Sequence, residues 1–290
     1  MTRRASRSEY QRHSQRYYAG VAAADYTETA VTKERPGRTR ARTRYTGASV
    51  RGVRDLNSFI EGLRRLMRGI PRPRGIDYGC GAHYFVDLCR TAWGWDATGY
   101  DAARENIALA RRLHPASAAH YIRRDLLADG IPQEDGSQDF VFSNAVFQHF
   151  SSRELALGLR EIGRVLRPGG ILLAVFKIKI PDWRAFEAET RIVVEVLDAA
   201  GGRIRIEDPL LKRTLESLPA SQRARLDAVI RGGWRLFHVY EVGEVVALAR
   251  RAALDVVPSV ALAGGTARPG IVTYRSGRGI PSAAAFFRKV

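Results

Sequence analysis

The sequence predicts an α/β protein with a doubly wound, mostly parallel sheet that an antiparallel hairpin closes. Beyond Pro71, short apolar segments alternate with amphipathic helical segments, as in parallel sheets with helices on both faces. At 75–81 an apolar segment runs into a Gly-rich turn that a helical segment follows, which is typical of a βα unit with a ligand at the turn. Glycine and proline separate the last two apolar segments, 256–262 and 271–274, and this spacing predicts the closing hairpin.

The individual elements follow from the apolar periodicity and from the residues that interrupt it. Apolar residues recur every three or four positions over 53–67, which predicts an amphipathic helix ahead of the sheet. Pro168 and the glycines after it predict a sharp turn at 167–170, where a helix ends and a strand begins. The predicted strands are 75–78, 97–101, 120–124, 139–143 and 171–177, and the predicted helices between them are 84–91, 103–113 and 152–166.

Residues 181–238 interrupt this alternation with amphipathic stretches, so we expect an inserted helical cap with helices at 184–199 and 210–218. A helix at 242–253 then resumes the pattern. Four regions are therefore expected: a basic, partly flexible N-terminal extension or lid (1–50), a cofactor-binding core (51–180), the cap (181–238) and a C-terminal part of the core (239–290).

The chain of 290 residues carries a formal net charge of +17, and much of the excess lies in its first quarter. The run at 33–44, KERPGRTRARTR, has no apolar period and predicts a solvated loop. Clustered arginines can release counterions from a phosphate backbone, so nucleic acid is a possible partner. A general bias of the composition toward arginine explains the same charge without any partner, and both interpretations stay open.

Several classes of protein are disfavoured by composition. The longest apolar stretch, 171–176, is far shorter than the roughly 20 residues that a membrane-spanning helix needs, so no membrane association is expected. The first 20 residues lack the apolar core of a secretory signal, although their arginines leave a transit peptide open. Cys80 and Cys89 are too few for a zinc site or a disulfide framework, so we expect no metal, two buried thiols and a cytoplasmic location.

The Gly-rich turn predicts a ligand that approaches bare backbone near Gly79 and Gly81. A dinucleotide fingerprint, G-x-G-x-x-G, would require a third glycine where this chain has Tyr84. The turn therefore favours a ligand smaller than a dinucleotide.

The segment 77–81, DYGCG, resembles motif I of the class I S-adenosylmethionine-dependent methyltransferases, with a core of type 11/25. In that family an acidic residue and two glycines surround the methionine moiety. Asp101 and Asp125 match the acids that bind ribose and the adenine amino group, and 139–144 and 165–170 match the fourth strand and the turn into the fifth. The resemblance implies an enzyme with a Rossmann-like, seven-stranded sheet and S-adenosylmethionine as cofactor. The cofactor-binding residues that it implies are Asp77, Gly79, Cys80, Gly81, Asp101, Ala102, Asp125, Leu126 and Asn144.

Two histidines stand out in this comparison. Many members of the family have a third glycine where this chain has His83, whose ring would either face solvent or contact the cofactor. His149 follows Asn144 at the carboxyl end of the fourth strand, where open α/β sheets bind substrate. It is our candidate catalytic base, with a packing role as the alternative.

The predicted reaction is an in-line displacement of the methyl group from the sulfonium, for which the protein supplies alignment and a water-poor pocket. We expect a small-molecule acceptor. The alternatives are an RNA or protein acceptor that docks on the basic N-terminal segment, and a cofactor-binding protein without catalysis. Candidate residues for the acceptor pocket are Tyr17, Tyr18, Trp183, Trp234, Phe237 and His238.

Overall fold

The computed structural model describes residues 50–190, 194–196, 203–207, 220, 234–265, 267–275 and 280–290. The predicted N-terminal extension up to residue 49 lies outside these ranges, together with Tyr17 and Tyr18 and with the predicted helix at 210–218. The helices are α1 (Val50–Leu66), α2 (Phe85–Asp87, continued by a π turn, Leu88–Ala92), α3 (Arg104–Leu113), α4 (Leu126–Asp129), α5 (Ser152–Val165), α6 (Trp183–Thr190) and α7 (Val242–Arg251), with 3-10 turns at Pro115–His120 and Phe147–His149. The strands are β1 (Arg74–Tyr78), β2 (Asp96–Asp101), β3 (Tyr121–Arg123), β4 (Gln138–Asn144), β5 (Leu166–Lys177), β6 (Val194–Val196), β7 (Arg203–Glu207), β8 (Trp234–His238), β9 (Leu254–Val256), β10 (Ser259–Ala261), β11 (Ala267–Pro269), β12 (Ile271–Tyr274) and β13 (Ser282–Lys289).

The main sheet confirms the predicted doubly wound architecture. Its strands follow the order β12-β13-β5-β4-β1-β2-β3, and β9 pairs with the far end of β13. Strands β1 to β5 are parallel to one another, while β13 is antiparallel to β5, β9 and β12. The order reverses between β1 and β4, so the carboxyl ends of these two strands flank the crevice in which such sheets bind ligands.

Two apolar cores cover the faces of the sheet. On one face, α1, α2 and α3 contribute Leu63, Phe85 and Ile107. On the other, α5 and α7 contribute Leu159 and Val245. Because both faces are buried, the central strands β4 and β5 carry the apolar runs 140–142 and 171–176, as the predicted parallel sheet requires.

The closing hairpin is formed by other strands than predicted. Strand β12 pairs with β13, a strand at 282–289 that the sequence pattern did not predict. The segment 256–262 instead ends β9 and forms β10, which pairs with β11 in a separate two-stranded sheet. The predicted turn at 167–170 is a bulge in the ladder, because Leu166 pairs with Gln138 and the next pair is Ile171 with Phe140.

The inserted segment is not entirely helical. The helix predicted at 184–199 ends at Thr190, and β6 follows it. Strands β6, β7 and β8 then form a three-stranded antiparallel sheet. Within the described ranges, no helix combines the length and the apolar character that crossing a membrane requires.

Candidate functional site

The Gly-rich loop between β1 and α2 is tied to the neighbouring strand by its backbone. The amides of Gly79 and Cys80 both donate to the carbonyl of Tyr100, over 2.8 and 2.9 Å. The His83 amide closes the turn on the carbonyl of Cys80 at 3.0 Å. The loop therefore has a fixed shape at the carboxyl edge of β1 and β2.

Gly79 is required by both conformation and space. Its φ is +73°, and a Cβ added there would lie 2.4 Å from a methyl carbon of Val146, in the segment after β4. Gly81 also has a positive φ, +54°, but a Cβ there would meet nothing within 4 Å. The loop after β4 thus packs directly against bare backbone of the Gly-rich loop.

This contrast gives a stability prediction. Gly79→Ala is expected to destabilise the fold by about 3 kcal/mol, because it adds overpacking to the strain of a left-handed residue. Gly81→Ala, the matched control, adds only the strain and should cost about 1 kcal/mol. Urea unfolding of both variants measures the difference; equal losses would mean that Val146 moves aside freely.

Asp77 is a buried carboxylate with an unsatisfied oxygen. Its side chain is 2% exposed, and Oδ2 has no hydrogen-bond partner among the described residues. Burial, reinforced by the negative charge of Asp101, raises the pKa of Asp77 well above its ordinary value of 3.8. Such a group favours a cationic ligand, which would satisfy the oxygen and stabilise the charge.

Asp101, at the end of β2, joins the Gly-rich loop to α3. Oδ2 accepts from the Gly81 amide at 2.9 Å. Oδ1 accepts from the Ala103 amide at 2.8 Å and from Nδ2 of Asn106 at 3.3 Å. Burial raises the pKa of Asp101, although these hydrogen bonds oppose the shift. Ala102 directly follows Asp101 in the chain, between the end of β2 and the start of α3.

Asp125 lies beside this group and caps a helix. Its Oδ1 accepts from the amides of Leu127 and Ala128, over 3.2 and 3.3 Å, at the start of α4. Leu126 is buried in the core next to it. The strands are neighbours here, because the Arg124 amide donates to the Asp101 carbonyl at 2.9 Å. Capping explains why an acid occupies position 125.

Asn144, at the end of β4, completes the edge that holds the other predicted residues. It is partly exposed, and the next residue, Ala145, has a positive φ of 58°, rare for a residue with a side chain. This strained turn aims Val146 at the Gly-rich loop. No sequence pattern predicts this turn, because alanine has no preference for such a conformation.

His83 does not face solvent. The side chain is 7% exposed, and its ring lies 4.3 Å from that of Tyr84 and 6.4 Å from that of Phe142. Burial, helped by nearby His114, lowers the pKa of His83 to about 3, so the imidazole is neutral at physiological pH. The expectation of a solvent-facing residue is therefore wrong.

His149 is buried under the inserted segment. It ends the 3-10 turn after β4, and its ring lies 5.7 Å from that of Phe237 on β8. Tyr240, which the sequence analysis did not single out, fixes this turn: its hydroxyl lies 2.8 and 2.5 Å from the carbonyls of Phe147 and Phe150. Its ring also lies 4.4 Å from that of His238. Both histidines thus contact aromatic residues of the segment 237–240, His149 through Phe237 and His238 through Tyr240.

Two other predicted lining residues, Trp183 and Phe237, belong to a small apolar cluster. Phe237 packs there with Phe186, Val239 and Ile280, and Trp183 borders the group. The side chain of Trp234 lies outside the described part. Both cysteines are buried and free, as expected.

Comparison with known proteins agrees with the family suggested by the sequence. A family model described as a methyltransferase domain matches residues 76–174. A malonyl-[acyl-carrier protein] O-methyltransferase from Serratia marcescens is 35% identical over 103 residues, 36% of this chain and 38% of that enzyme. A ubiquinone biosynthesis O-methyltransferase from Methylocella silvestris is 29% identical over 213 residues, 69% of this chain and 81% of that enzyme.

Solved structures give the same fold. The crystal structure of an S-adenosylmethionine-dependent methyltransferase from Methanosarcina mazei superposes with a TM-score of 0.53 at 18% identity. The match covers 75% of this chain and 92% of that one. The shared architecture therefore extends well beyond the segment that the family model matches.

Proposed function

We propose that this chain, which carries a methyltransferase domain of the class I S-adenosylmethionine-dependent family, methylates a small-molecule acceptor. The observation that carries the proposal is the unsatisfied buried oxygen of Asp77 beside Asp101, at the crevice between β1 and β4. S-Adenosylmethionine is the donor of the family. Its methionine end bears an ammonium and a sulfonium, and these positive charges suit the buried carboxylate of Asp77.

The residues along the carboxyl edge fit the rest of the cofactor. Asp101 would accept from the ribose hydroxyls, since each carboxylate oxygen has two lone pairs and only some of them meet Gly81, Ala103 and Asn106. Asp125 and the Leu126 amide would bind adenine. The remaining proposed cofactor contacts are Gly79, Cys80, Gly81, Ala102 and Asn144.

The charge of Asp77 makes binding depend on pH. In the free protein the pKa of Asp77 is raised, so the folded state favours the protonated carboxyl. The protonated group stabilises the fold at low pH, and this contribution is lost as the pH rises through the raised pKa. A bound ammonium stabilises the carboxylate instead. Cofactor affinity should therefore increase with pH through the same pKa, above the ordinary value of 3.8.

Asp77→Asn tests this linkage. The variant should be more heat-stable than the wild type at neutral pH and yet bind S-adenosylhomocysteine at least about tenfold more weakly, because it loses a charge-assisted hydrogen bond. Its affinity should no longer vary with pH in the carboxyl range. Calorimetric titrations from acid to neutral pH measure this affinity. A variant that binds as tightly as the wild type would show that the ammonium does not bind to Asp77.

The acceptor would bind beyond the methionine end, between the loop after β4 and the insert. Both relatives described above are named O-methyltransferases. By similarity, we propose that the acceptor atom of this chain's substrate is also an oxygen. A hydroxyl must lose a proton as its oxygen attacks the methyl carbon, and the electron pair of the breaking C–S bond stays on sulfur. His149 is the proposed base for that proton.

Transfer of labelled methyl from S-adenosylmethionine into a cell extract tests the function. We expect label in the metabolite fraction and none with Asp101→Ala. Label in RNA or protein would instead favour docking through the basic N-terminal segment, and that transfer should weaken steeply with salt. Absence of label from all fractions, with cofactor bound, would contradict catalysis on any acceptor in the extract.

A further inference from the structure

We propose that His114 and Tyr121 are positioning residues that clamp the second half of the Gly-rich loop for cofactor binding. This inference rests on the proposed function of the site. The first half of the loop is held by backbone hydrogen bonds to Tyr100. The second half, at Ala82 and His83, is held by side chains that reach it from more distant parts of the chain.

His114 supplies the first contact. It follows α3 directly, and its side chain is 1% exposed. Nε2 lies 3.4 Å from the carbonyl of Ala82, one residue past the last glycine of the loop. Because a carbonyl only accepts, the contact assigns the proton to Nε2. The ring stacks on that of Tyr121, with centroids 5.7 Å apart and planes inclined by 22°.

Tyr121 supplies the second contact. It is the first residue of β3 and is fully buried. Its hydroxyl donates to the carbonyl of His83 over 3.1 Å, across 38 residues of sequence. The two stacked rings contact consecutive carbonyls of the loop. If the loop moved away from either ring, a buried polar group would be left unsatisfied, so the loop has little freedom to move.

Asp87 lies beside the histidine. Oδ2 of Asp87 lies 3.9 Å from Nδ1 of His114. The other oxygen of Asp87 accepts from the Ser117 hydroxyl at 3.0 Å. At 3.9 Å the approach of Asp87 to His114 is not a hydrogen bond, and the carboxylate packs beside the ring whose Nε2 is directed to the loop. None of these groups belongs to the predicted cofactor-binding set, so their contribution would be preorganisation of the loop.

The test is the affinity for S-adenosylhomocysteine, measured by calorimetry. Tyr121→Phe removes one hydroxyl and keeps the stacking, and it should weaken binding about fivefold, the value of one neutral hydrogen bond. His114→Phe should weaken it by a similar factor. His114→Gln, whose amide can again donate to the Ala82 carbonyl, should return to within about twofold of the wild type.

Ser282→Ala is the matched control. Ser282 is 5% exposed and its hydroxyl lies 3.4 Å from a backbone carbonyl, that of Ile280, at a strand far from the loop. The control should lose a similar amount of thermal stability with unchanged affinity. Equal affinity in Tyr121→Phe and the wild type would overturn the clamp, as would an equal loss in the control. Failure of the wild type itself to bind would overturn the proposed function as well, which separates the two outcomes.

Discussion

Asp101→Ala is expected to weaken the binding of S-adenosylhomocysteine by at least about 100-fold, the largest effect on affinity that we predict. The carboxylate would accept from the ribose in a charge-assisted contact of about 1.5 to 3 kcal/mol. It also holds the Gly81 amide at 2.9 Å, so its loss loosens the loop that faces the methionine moiety. Calorimetry or displacement of a fluorescent cofactor analogue measures the affinity.

Asp96→Ala is the matched control for this variant. Asp96 begins the same strand that Asp101 ends, and it forms a partly buried ion pair with Arg90 over 2.6 Å. Its removal should change stability slightly and leave the affinity within about twofold of the wild type. If the two variants lost a similar amount of affinity, the effect of Asp101→Ala would come from damage to the fold of β2. The proposed contact between Asp101 and the ribose would then be wrong.

The parallel half of the fold could be predicted because each of its signals is local. Strand, Gly-rich turn and helix follow one another within a few residues, and the predicted bounds of β1 and β2 differ from the observed ones by one residue at the amino end. The predictions of family, cofactor and fold class all depend on this part. The segment 76–174, which the family model matches, begins within β1 and ends within β5.

The antiparallel half could not be predicted, because its strands are defined by distant partners. In strand β13, three alanines follow the first residue, Ser282, and alanine has a low preference for strands. Between β5 and β12 all three are completely buried, and a small side chain fits a position covered on both faces. In the insert, the β-branched residues of RIVVEV, at 191–196, were a strand signal that the helical period concealed.

The candidate site shows the same division. The positions of Asp77, Asp101 and Asp125 at neighbouring strand ends follow from the strand pattern alone. The burial of His83 and the clamp formed by His114 and Tyr121 depend on packing across the sheet, which no local pattern encodes.

Replacement of His149 by glutamine is expected to lower kcat about 100-fold on a hydroxyl acceptor, the usual contribution of a general base. The base has to lie on the acceptor side of the cofactor, and the turn at Phe147–His149 follows the carboxyl end of β4. Tyr240 holds the carbonyls on either side of His149, so the imidazole is presented by a rigid turn. Glutamine keeps the size and hydrogen bonding of the ring but cannot take up a proton.

The decisive measurement separates the base from a packing residue. In His149→Gln, a lost base should reduce kcat, remove the acidic limb of the kcat profile and leave the affinity for S-adenosylhomocysteine unchanged. His238→Gln is the comparison, because this second buried histidine ends β8 and lies against Tyr240. If His238→Gln loses the acidic limb of the kcat profile instead, His238 on β8 is the general base. If both variants keep the wild-type profile, the acceptor is already deprotonated or needs no base, and His149 serves only to pack against Phe237.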